Sequence, residues 1–136
     1  MIDHVTVTAS DLERSGAFYD GALAPLGFRR VVEYVDPEDE DEAGVEAIGY
    51  ASGRDAASVW LVSGTAPTHN VHVAFQAGDV EAVNRFYAAA LDSGGQEGQA
   101  PRRWEIYRPG YYGALVADPD GNLIEALISG AQSTSS

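Results

Sequence analysis

Two histidines and one glutamate are the residues of this sequence best suited to chemistry. His4 and His72 each lie in a short segment that alternates in the manner of a β-strand, and Glu125 interrupts an apolar one. A carboxylate among aliphatic neighbours is costly unless it is paired or bound to a metal. Two imidazoles and one carboxylate form a facial triad suited to Fe(II), Mn(II), Ni(II), Co(II) or Zn(II). We therefore predict that His4, His72 and Glu125 converge on one cavity and bind one divalent metal ion.

The two histidines occupy equivalent positions in an internal duplication. A shift of 68 residues aligns His4 with His72, and identical residues recur at ten of the 24 positions from His4 to Gly27. Such self-similarity indicates that each half of the chain builds one copy of the same unit. If a pseudo-two-fold axis relates the halves, the histidines face each other and Glu125 can join them. A lone histidine in a strand is usually structural, whereas a pair at equivalent positions is harder to explain in that way.

Composition excludes several classes of function. The chain has 136 residues, 45% of them hydrophobic, which predicts one compact domain. No apolar run approaches the roughly 20 residues of a membrane helix, and no signal-like segment is present, so we expect a cytoplasmic protein. A net charge of -13 argues against nucleic acid and anionic membranes as partners. Cysteine and lysine are absent, which excludes thiolate sites, disulfides and Schiff bases.

The elements that must position these residues begin in the same way in both halves, with a strand followed by a helix. In the first half, Ser10 and Glu13 form a capping-box pattern before a helix that ends near Gly27. Strands are predicted at residues 2–8, 28–34, 45–50 and 57–62. In the second half we predict a strand from residue 71, a helix over 79–91, a loop from Gln96 to Pro109, and strands over 111–118 and 122–128.

Together with the duplication, these elements predict an α+β protein made of two tandem βαβββ units. We assign a single domain over residues 1–130, with the first repeat at 1–64, the second at 69–130, and a disordered tail at 131–136. The acidic run at 36–42 lacks the spaced ligands and the glycine of a calcium loop, and is interpreted as a solvated hairpin loop.

Symmetry also indicates where a fourth ligand would lie. The segment from Ala57 to Trp60 is equivalent to that of Glu125, but it holds no carboxylate, Gln or His. His69 lies outside the repeat and is interpreted as a loop residue. We expect the cavity wall to include Tyr50, Trp60, Phe75, Trp104 and Tyr112. Arg102 and Arg103 are candidates for holding an anionic group of the substrate, although each of these residues also has an ordinary core or surface role.

Two motifs make the sequence resemble the vicinal oxygen chelate superfamily, which includes glyoxalases, bleomycin-resistance proteins and extradiol dioxygenases. They are the helix entry Asp-Leu-Glu-Arg-Ser-Gly-Ala-Phe-Tyr and the ending Tyr-Tyr-Gly-Ala-Leu-Val-Ala-Asp-Pro-Asp-Gly-Asn-Leu-Ile-Glu. The resemblance implies a glyoxalase-like curved mixed sheet, a half-barrel cup with the helices outside. It also implies metal ligands on the first and last strands of the units, where His4, His72 and Glu125 fall, and a homodimer.

The resemblance leaves three functions open. The first is a metal-dependent enzyme of lyase, isomerase or dioxygenase type that chelates a small substrate through two neighbouring oxygens. The second is a metal-free small-molecule or antibiotic-binding protein like the bleomycin-resistance proteins. The third is an Fe(II) extradiol dioxygenase, whose further catalytic histidine has only His69 as a candidate. The fourth ligand position, a glutamate in glyoxalase I, is not filled here.

Overall fold

A computed structural model of the protein describes residues 2–35, 46–66, 68–104 and 109–129. In the first half these residues form β1 (Val5–Ala9), α1 (Leu12–Leu23), a short 3-10 helix (Ala24–Leu26), β2 (Phe28–Tyr34), β3 (Ala47–Ser52) and β4 (Val59–Ser63). In the second half they form β5 (His72–Gln76), α2 (Val80–Asp92), β6 (Gln96–Arg103), β7 (Tyr112–Ala117) and β8 (Leu123–Ile128).

The two halves form two open four-stranded mixed sheets with the same strand order. The order is β1-β4-β3-β2 in one sheet and β5-β8-β7-β6 in the other. In each sheet the first and last strands of the unit pair in parallel, and the remaining pairs are antiparallel. The predicted α+β class, with two βαβββ units, is confirmed. The predicted domain limits at residues 64, 69 and 130 stay a prediction.

Each sheet turns one face to the helices and leaves the other face open. Strand side chains point alternately to the two faces, and the buried set from β1, β3 and β4 includes Val7, Ile48 and Leu61. They belong to the same core as Phe18 of α1 and Phe86 of α2, and the two helices pack against each other. Side chains at the alternate positions, including His72 and Glu125, therefore lie on the open face.

The first helix begins one residue later than its sequence pattern predicts. Asp11, not Ser10, is the N-cap, and its carboxylate accepts a 3.1 Å hydrogen bond from the backbone N–H of Arg14. Ser10 is used elsewhere, because its hydroxyl donates a 2.5 Å hydrogen bond to Asp120 of the second unit. The predicted capping box is therefore wrong, and the tertiary contact with Asp120 is the reason.

The segment predicted as a loop from Gln96 to Pro109 begins with a strand. β6 lies at the edge of its sheet, and its pairing with β7 shifts register between Glu97 and Gln99 and again between Gln99 and Arg102. Those irregularities contain Gly98 and Pro101, residues that a central strand would not tolerate but that an edge strand with bulges accommodates. The loop prediction is wrong over residues 96–103 for this reason. Residues 105–108 lie outside the described part of the chain.

The other predicted strands agree with the structure to within about three residues at each end, which is within the usual uncertainty of element boundaries. β2 has the predicted limits, and β3 and β4 begin later than predicted. The acidic run at 36–42 and the tail at 131–136 lie outside the described residues. Neither described helix is long and apolar enough to cross a membrane.

Candidate active site

A cavity of about 420 Å³ lies on the open face of the second sheet. β-pairing accounts for its walls, because Glu125 of β8 stands opposite Leu115 of β7 and Ala74 of β5. Leu115 in turn stands opposite Gln99 of β6. These four paired residues form one row of side chains that runs across all four strands of the sheet. The cavity is lined by His72, Gln99, Trp104, Tyr111, Gly113, Ala114, Leu115 and Glu125.

Glu125 is the buried charge at the centre of this site. Only 11% of its side chain is exposed, whereas 50% of the His72 side chain is. His72 Nε2 lies 2.8 Å from Glu125 Oε1, and the hydroxyl of Tyr111 donates a 2.5 Å hydrogen bond to Oε2. Both carboxylate oxygens are therefore satisfied, as a buried charge requires. The sequence predicted that Glu125 must be paired, and it also named His72 as its neighbour.

Sequence reasoning missed Tyr111, Gln99 and Gly113, and it chose Tyr112 from the tyrosine doublet. Residues 111, 113 and 115 share a face by alternation, and only the pairing of Leu115 with Glu125 shows that this face is the open one. A Cβ on Gly113 would lie 3.3 Å from Glu125 Oε2 and 3.1 Å from the carbonyl oxygen of Ala126. The absence of a side chain at Gly113 therefore provides room for the carboxylate of Glu125.

His4 lies directly before β1, and its environment differs from that of His72. Its Nδ1 is 2.8 Å from Asp3 Oδ2, and 48% of its side chain is exposed. His4 and His72 both line a second cavity of about 400 Å³ between the two units, whose wall includes Phe28 and Phe75 in edge-to-face contact. His72 borders both cavities, whereas His4 borders only this one among those described. Convergence of all three predicted ligands stays a prediction.

The donors present fit one side of a divalent metal site. Two metal bonds of about 2.1 Å at a right angle would place their donor atoms about 3.0 Å apart. The 2.8 Å between His72 Nε2 and Glu125 Oε1 is close to that separation. Imidazole nitrogen with carboxylate oxygen is also a donor set that Zn(II), Mn(II) and Fe(II) accept. Among the described residues, no group of three or more His, Asp and Glu lies close enough together to hold a metal.

Trp60 is the structural counterpart of Glu125. In the parallel pair β1/β4, Thr6 stands opposite Trp60, and in β5/β8 the repeat-equivalent Ala74 stands opposite Glu125. The position that symmetry assigns to a fourth ligand is thus occupied by an indole. A Cβ on Gly49 would lie 3.0 Å from the Trp60 ring. Trp60 therefore packs over Gly49 on the open face of the first sheet.

The remaining predicted wall residues fall into two groups. Trp104 lines the cavity, and the guanidinium of Arg102 lies 3.9 Å from the centre of its ring. Tyr112 is directed to α2, where its hydroxyl donates to Asn84 at 2.6 Å. Arg103 lies 5.9 Å from the Tyr112 ring centre. Of the aromatic residues predicted for the wall, Trp104 is the one that lines the cavity containing Glu125.

Tyr50 belongs to the core and does not line either of these cavities. It is fully buried, and its hydroxyl donates to Asp20 at 2.8 Å on the helix side of the first sheet. Burial, and then the Asp20 carboxylate, raise the pKa of Tyr50 above its ordinary value. Its alternation along β3 with residues of the open face explains the difference from the prediction, since sequence alone does not tell the two faces apart.

Comparison with known proteins agrees with the fold. The model of the Glyoxalase/Bleomycin resistance protein/Dioxygenase superfamily matches residues 1–126. A glyoxalase/bleomycin resistance protein from Albidiferax ferrireducens shares 27% sequence identity, with 93% of this chain and 96% of that one covered, at a TM-score of 0.68. No curated protein is similar enough to this chain to count as a match.

Two further solved structures share the fold at lower identity. A glyoxalase/bleomycin resistance protein/dioxygenase family enzyme from Burkholderia phytofirmans is 16% identical, with 93% of this chain and 97% of that one covered, at a TM-score of 0.66. The fosfomycin resistance protein FosX of Listeria monocytogenes, a variant solved with Mn(II) and a dihydroxypropylphosphonic acid, is 15% identical. That likeness covers 97% of this chain and 92% of FosX at a TM-score of 0.67.

Proposed function

The chain belongs to the Glyoxalase/Bleomycin resistance protein/Dioxygenase superfamily, and on that premise we propose that it is a divalent-metal-dependent enzyme acting on a small molecule with two neighbouring oxygens. The observation that carries the proposal is the pair formed by His72 and the buried Glu125 in a cavity of about 420 Å³. A nitrogen and an oxygen of types that can ligate a metal meet there in a concave site that has room for a small organic ligand.

His72 and Glu125 would hold the metal from the second sheet, and His4 is proposed as the third ligand. When bound, the metal would supply Lewis acidity toward the substrate oxygens. FosX, solved with Mn(II) and a dihydroxy compound, has the same fold. Lyase, isomerase and dioxygenase reactions are all compatible with such a ligand set, and Fe(II) would be required for the last.

The chain's own groups would orient the substrate. Trp104 and Tyr111 provide flat aromatic walls, and Gln99 provides an amide that can both donate and accept a hydrogen bond. Arg102, stacked on Trp104, has no carboxylate within 4.0 Å among the described residues, although the chain has a net charge of -13. We propose that its exposed guanidinium, beside Trp104 of the cavity wall, attracts an anionic group of the substrate.

A metal-free binding protein is the second candidate, and a specific observation favours it. His4 is paired with Asp3, and the described residues bring two rather than three potential ligands together. In that function the His72–Glu125 pair would form hydrogen bonds with a ligand bound in the cavity. Aromatic walls and convergent polar groups suit such binding as well as they suit catalysis.

Metal analysis separates the two functions. The protein is purified without chelators, its metal content is measured, and the stripped protein is titrated with Zn(II), Ni(II), Mn(II), Co(II) and Fe(II). Binding of one equivalent, abolished or weakened by Glu125→Gln, supports the enzyme. Absence of binding by the parent protein, together with tight binding of an organic ligand, supports the binding protein. Catechol-dependent oxygen uptake with Fe(II) identifies the dioxygenase.

Ligand entry can be followed through tryptophan fluorescence. The chain has two tryptophans, so the variant Trp60→Phe leaves Trp104 of the cavity wall as the sole tryptophan, which can be excited selectively over the tyrosines. The ligands to be screened are small α-hydroxy ketones, α-hydroxy acids and catechols, with and without metal. Quenching that requires the metal supports substrate binding through it. Quenching that is the same in both states supports the metal-free function.

We also propose a homodimer. β2 is the edge strand of the first sheet, and it exposes Val31, Val32 and Tyr34 by 39%, 39% and 57%. Large apolar side chains grouped on an open edge commonly mark a contact with another subunit. A cytoplasmic location stays a prediction.

A further inference from the structure

Tyr111 contacts the oxygen of Glu125 that His72 does not use. An ionised carboxylate has no proton to donate, so the 2.5 Å contact is a hydrogen bond from the tyrosine hydroxyl to Oε2. His72 Nε2 lies 2.8 Å from Oε1. Each carboxylate oxygen of Glu125 therefore has its own neighbour, and the two contacts together fix the orientation of the carboxylate plane.

The surroundings show that this arrangement is built into the fold. Tyr111 directly precedes β7. Two residues further along, at Gly113, a Cβ would stand 3.3 Å from Glu125 Oε2. The Glu125 side chain is 11% exposed, so water contributes little to its solvation. Tyr111 and Glu125 both line the same cavity. The hydroxyl therefore acts on the carboxylate inside the site and not on a surface side chain.

We propose that Tyr111 is a positioning residue that holds Glu125 so that Oε1 alone is presented beside His72 to a divalent metal. This inference rests on the proposed metal-dependent function. Ligating carboxylates are commonly oriented by hydrogen bonds from groups behind them, and loss of such a partner typically weakens metal binding by about 10- to 100-fold. Removing the hydroxyl frees Oε2 and lets the carboxylate rotate away from the orientation that His72 shares.

The neighbouring tyrosine gives a matched control. Tyr112 carries the same side chain one residue later, but its hydroxyl donates to Asn84 at 2.6 Å on the helix face of the sheet. Tyr111→Phe and Tyr112→Phe therefore each delete one hydroxyl from the same segment. Only the first deletes a contact with the proposed ligand.

The test is calorimetric titration of the full chain with Ni(II) and Zn(II). We expect Tyr111→Phe to bind about 10- to 100-fold more weakly than the parent protein, and Tyr112→Phe to bind as the parent does. Equal affinities of Tyr111→Phe and the parent overturn the inference and leave the proposed function intact. Failure of the parent and of both variants to bind metal overturns the proposed function, and the inference with it.

A second measurement separates positioning from general stabilisation. The visible absorption spectrum of the Co(II)-loaded protein reports the geometry and number of ligands around the metal. We expect Tyr111→Phe, at saturating Co(II), to change this spectrum because the carboxylate is no longer held with Oε1 beside His72. A variant that only lowers the melting temperature, with the parent spectrum and the parent affinity, has a structural role and contradicts the positioning role.

Discussion

The hydroxyl of Tyr19 in α1 donates a 2.6 Å hydrogen bond to Oδ2 of Asp118 at the start of the β7–β8 turn. The contact joins the two units across 99 residues of sequence, and both side chains are almost completely buried. Asp118 also accepts from the backbone N–H groups of Asp120 and Asn122, each at 2.9 Å. Gly121 permits this turn because its φ of 91° lies in the left-handed region.

This contact predicts an alkaline limit to stability. Burial, and then the Asp118 carboxylate, raise the pKa of Tyr19 well above the ordinary value of about 10. The folded protein therefore keeps a proton that the unfolded chain releases above that pH, so stability is complete below about pH 10 and declines as the pH rises further. Urea unfolding between pH 8 and pH 11 measures the decline, with a limit of about 1.4 kcal/mol per pH unit for one group.

The variant Tyr19→Phe tests the origin of that decline. It should be less stable at pH 8 by about 1–3 kcal/mol, because the buried Asp118 loses a donor. Its free energy of unfolding should also fall less steeply above pH 10, since the group that titrates is gone. Part of the pH dependence should remain, because burial and Asp20 also raise the pKa of Tyr50. A slope identical to that of the parent protein would contradict the assignment.

Glu125→Gln should weaken metal binding by at least about tenfold while the fold is kept. The substitution removes the anionic ligand without changing the shape of the side chain. Calorimetric titration with Ni(II) and Zn(II) measures the effect. Glu97→Gln is the control, because Glu97 lies in β6 of the same sheet and is not part of the cavity lining. Metal affinity equal to that of the parent protein in Glu125→Gln would contradict the proposal that Glu125 is a metal ligand.

Gly113→Ala should impair the site by crowding. The added Cβ would stand 3.1 Å from the carbonyl oxygen of Ala126, which cannot move freely, and 3.3 Å from Glu125 Oε2. Overpacking of this kind costs about 1–3 kcal/mol of stability, and metal affinity should fall as the carboxylate is displaced. Gly78→Ala is the control, because a Cβ there meets no atom within 4 Å. Equal melting temperatures and affinities of the two variants would contradict the crowding.

The proposed homodimer predicts a concentration-independent dimer at micromolar concentration in sedimentation velocity. Tyr34→Arg should shift it to monomer, because a charge would be placed in the apolar group on β2. Val71→Arg is the control, since Val71 is also exposed, by 46%, but lies in the second unit before β5. A monomeric parent protein, or loss of the dimer with Val71→Arg alone, would argue against β2 as the contact.

Much of the site was predictable because it depends on local pattern. The repeat paired His4 with His72, and the apolar neighbours of Glu125 showed that its charge needs a partner. The structure gives that partner as His72, at 2.8 Å. Tyr111 could not be chosen over Tyr112, because adjacent residues of a strand point to opposite faces and the sequence does not label the faces.

The sequence by itself determined that the chain holds two copies of one unit, with the βαβββ pattern legible in the first copy, since hydrophobic periodicity and the duplication are properties of neighbouring residues and of a fixed offset. It did not determine β6, because Gly98 and Pro101 are acceptable only when the pairing with β7 places the strand at an edge. Nor did it determine the cap of α1, because Ser10 is taken by Asp120. Tertiary structure decided these points and the neighbours of each ligand, since they depend on which distant strands and turns come together.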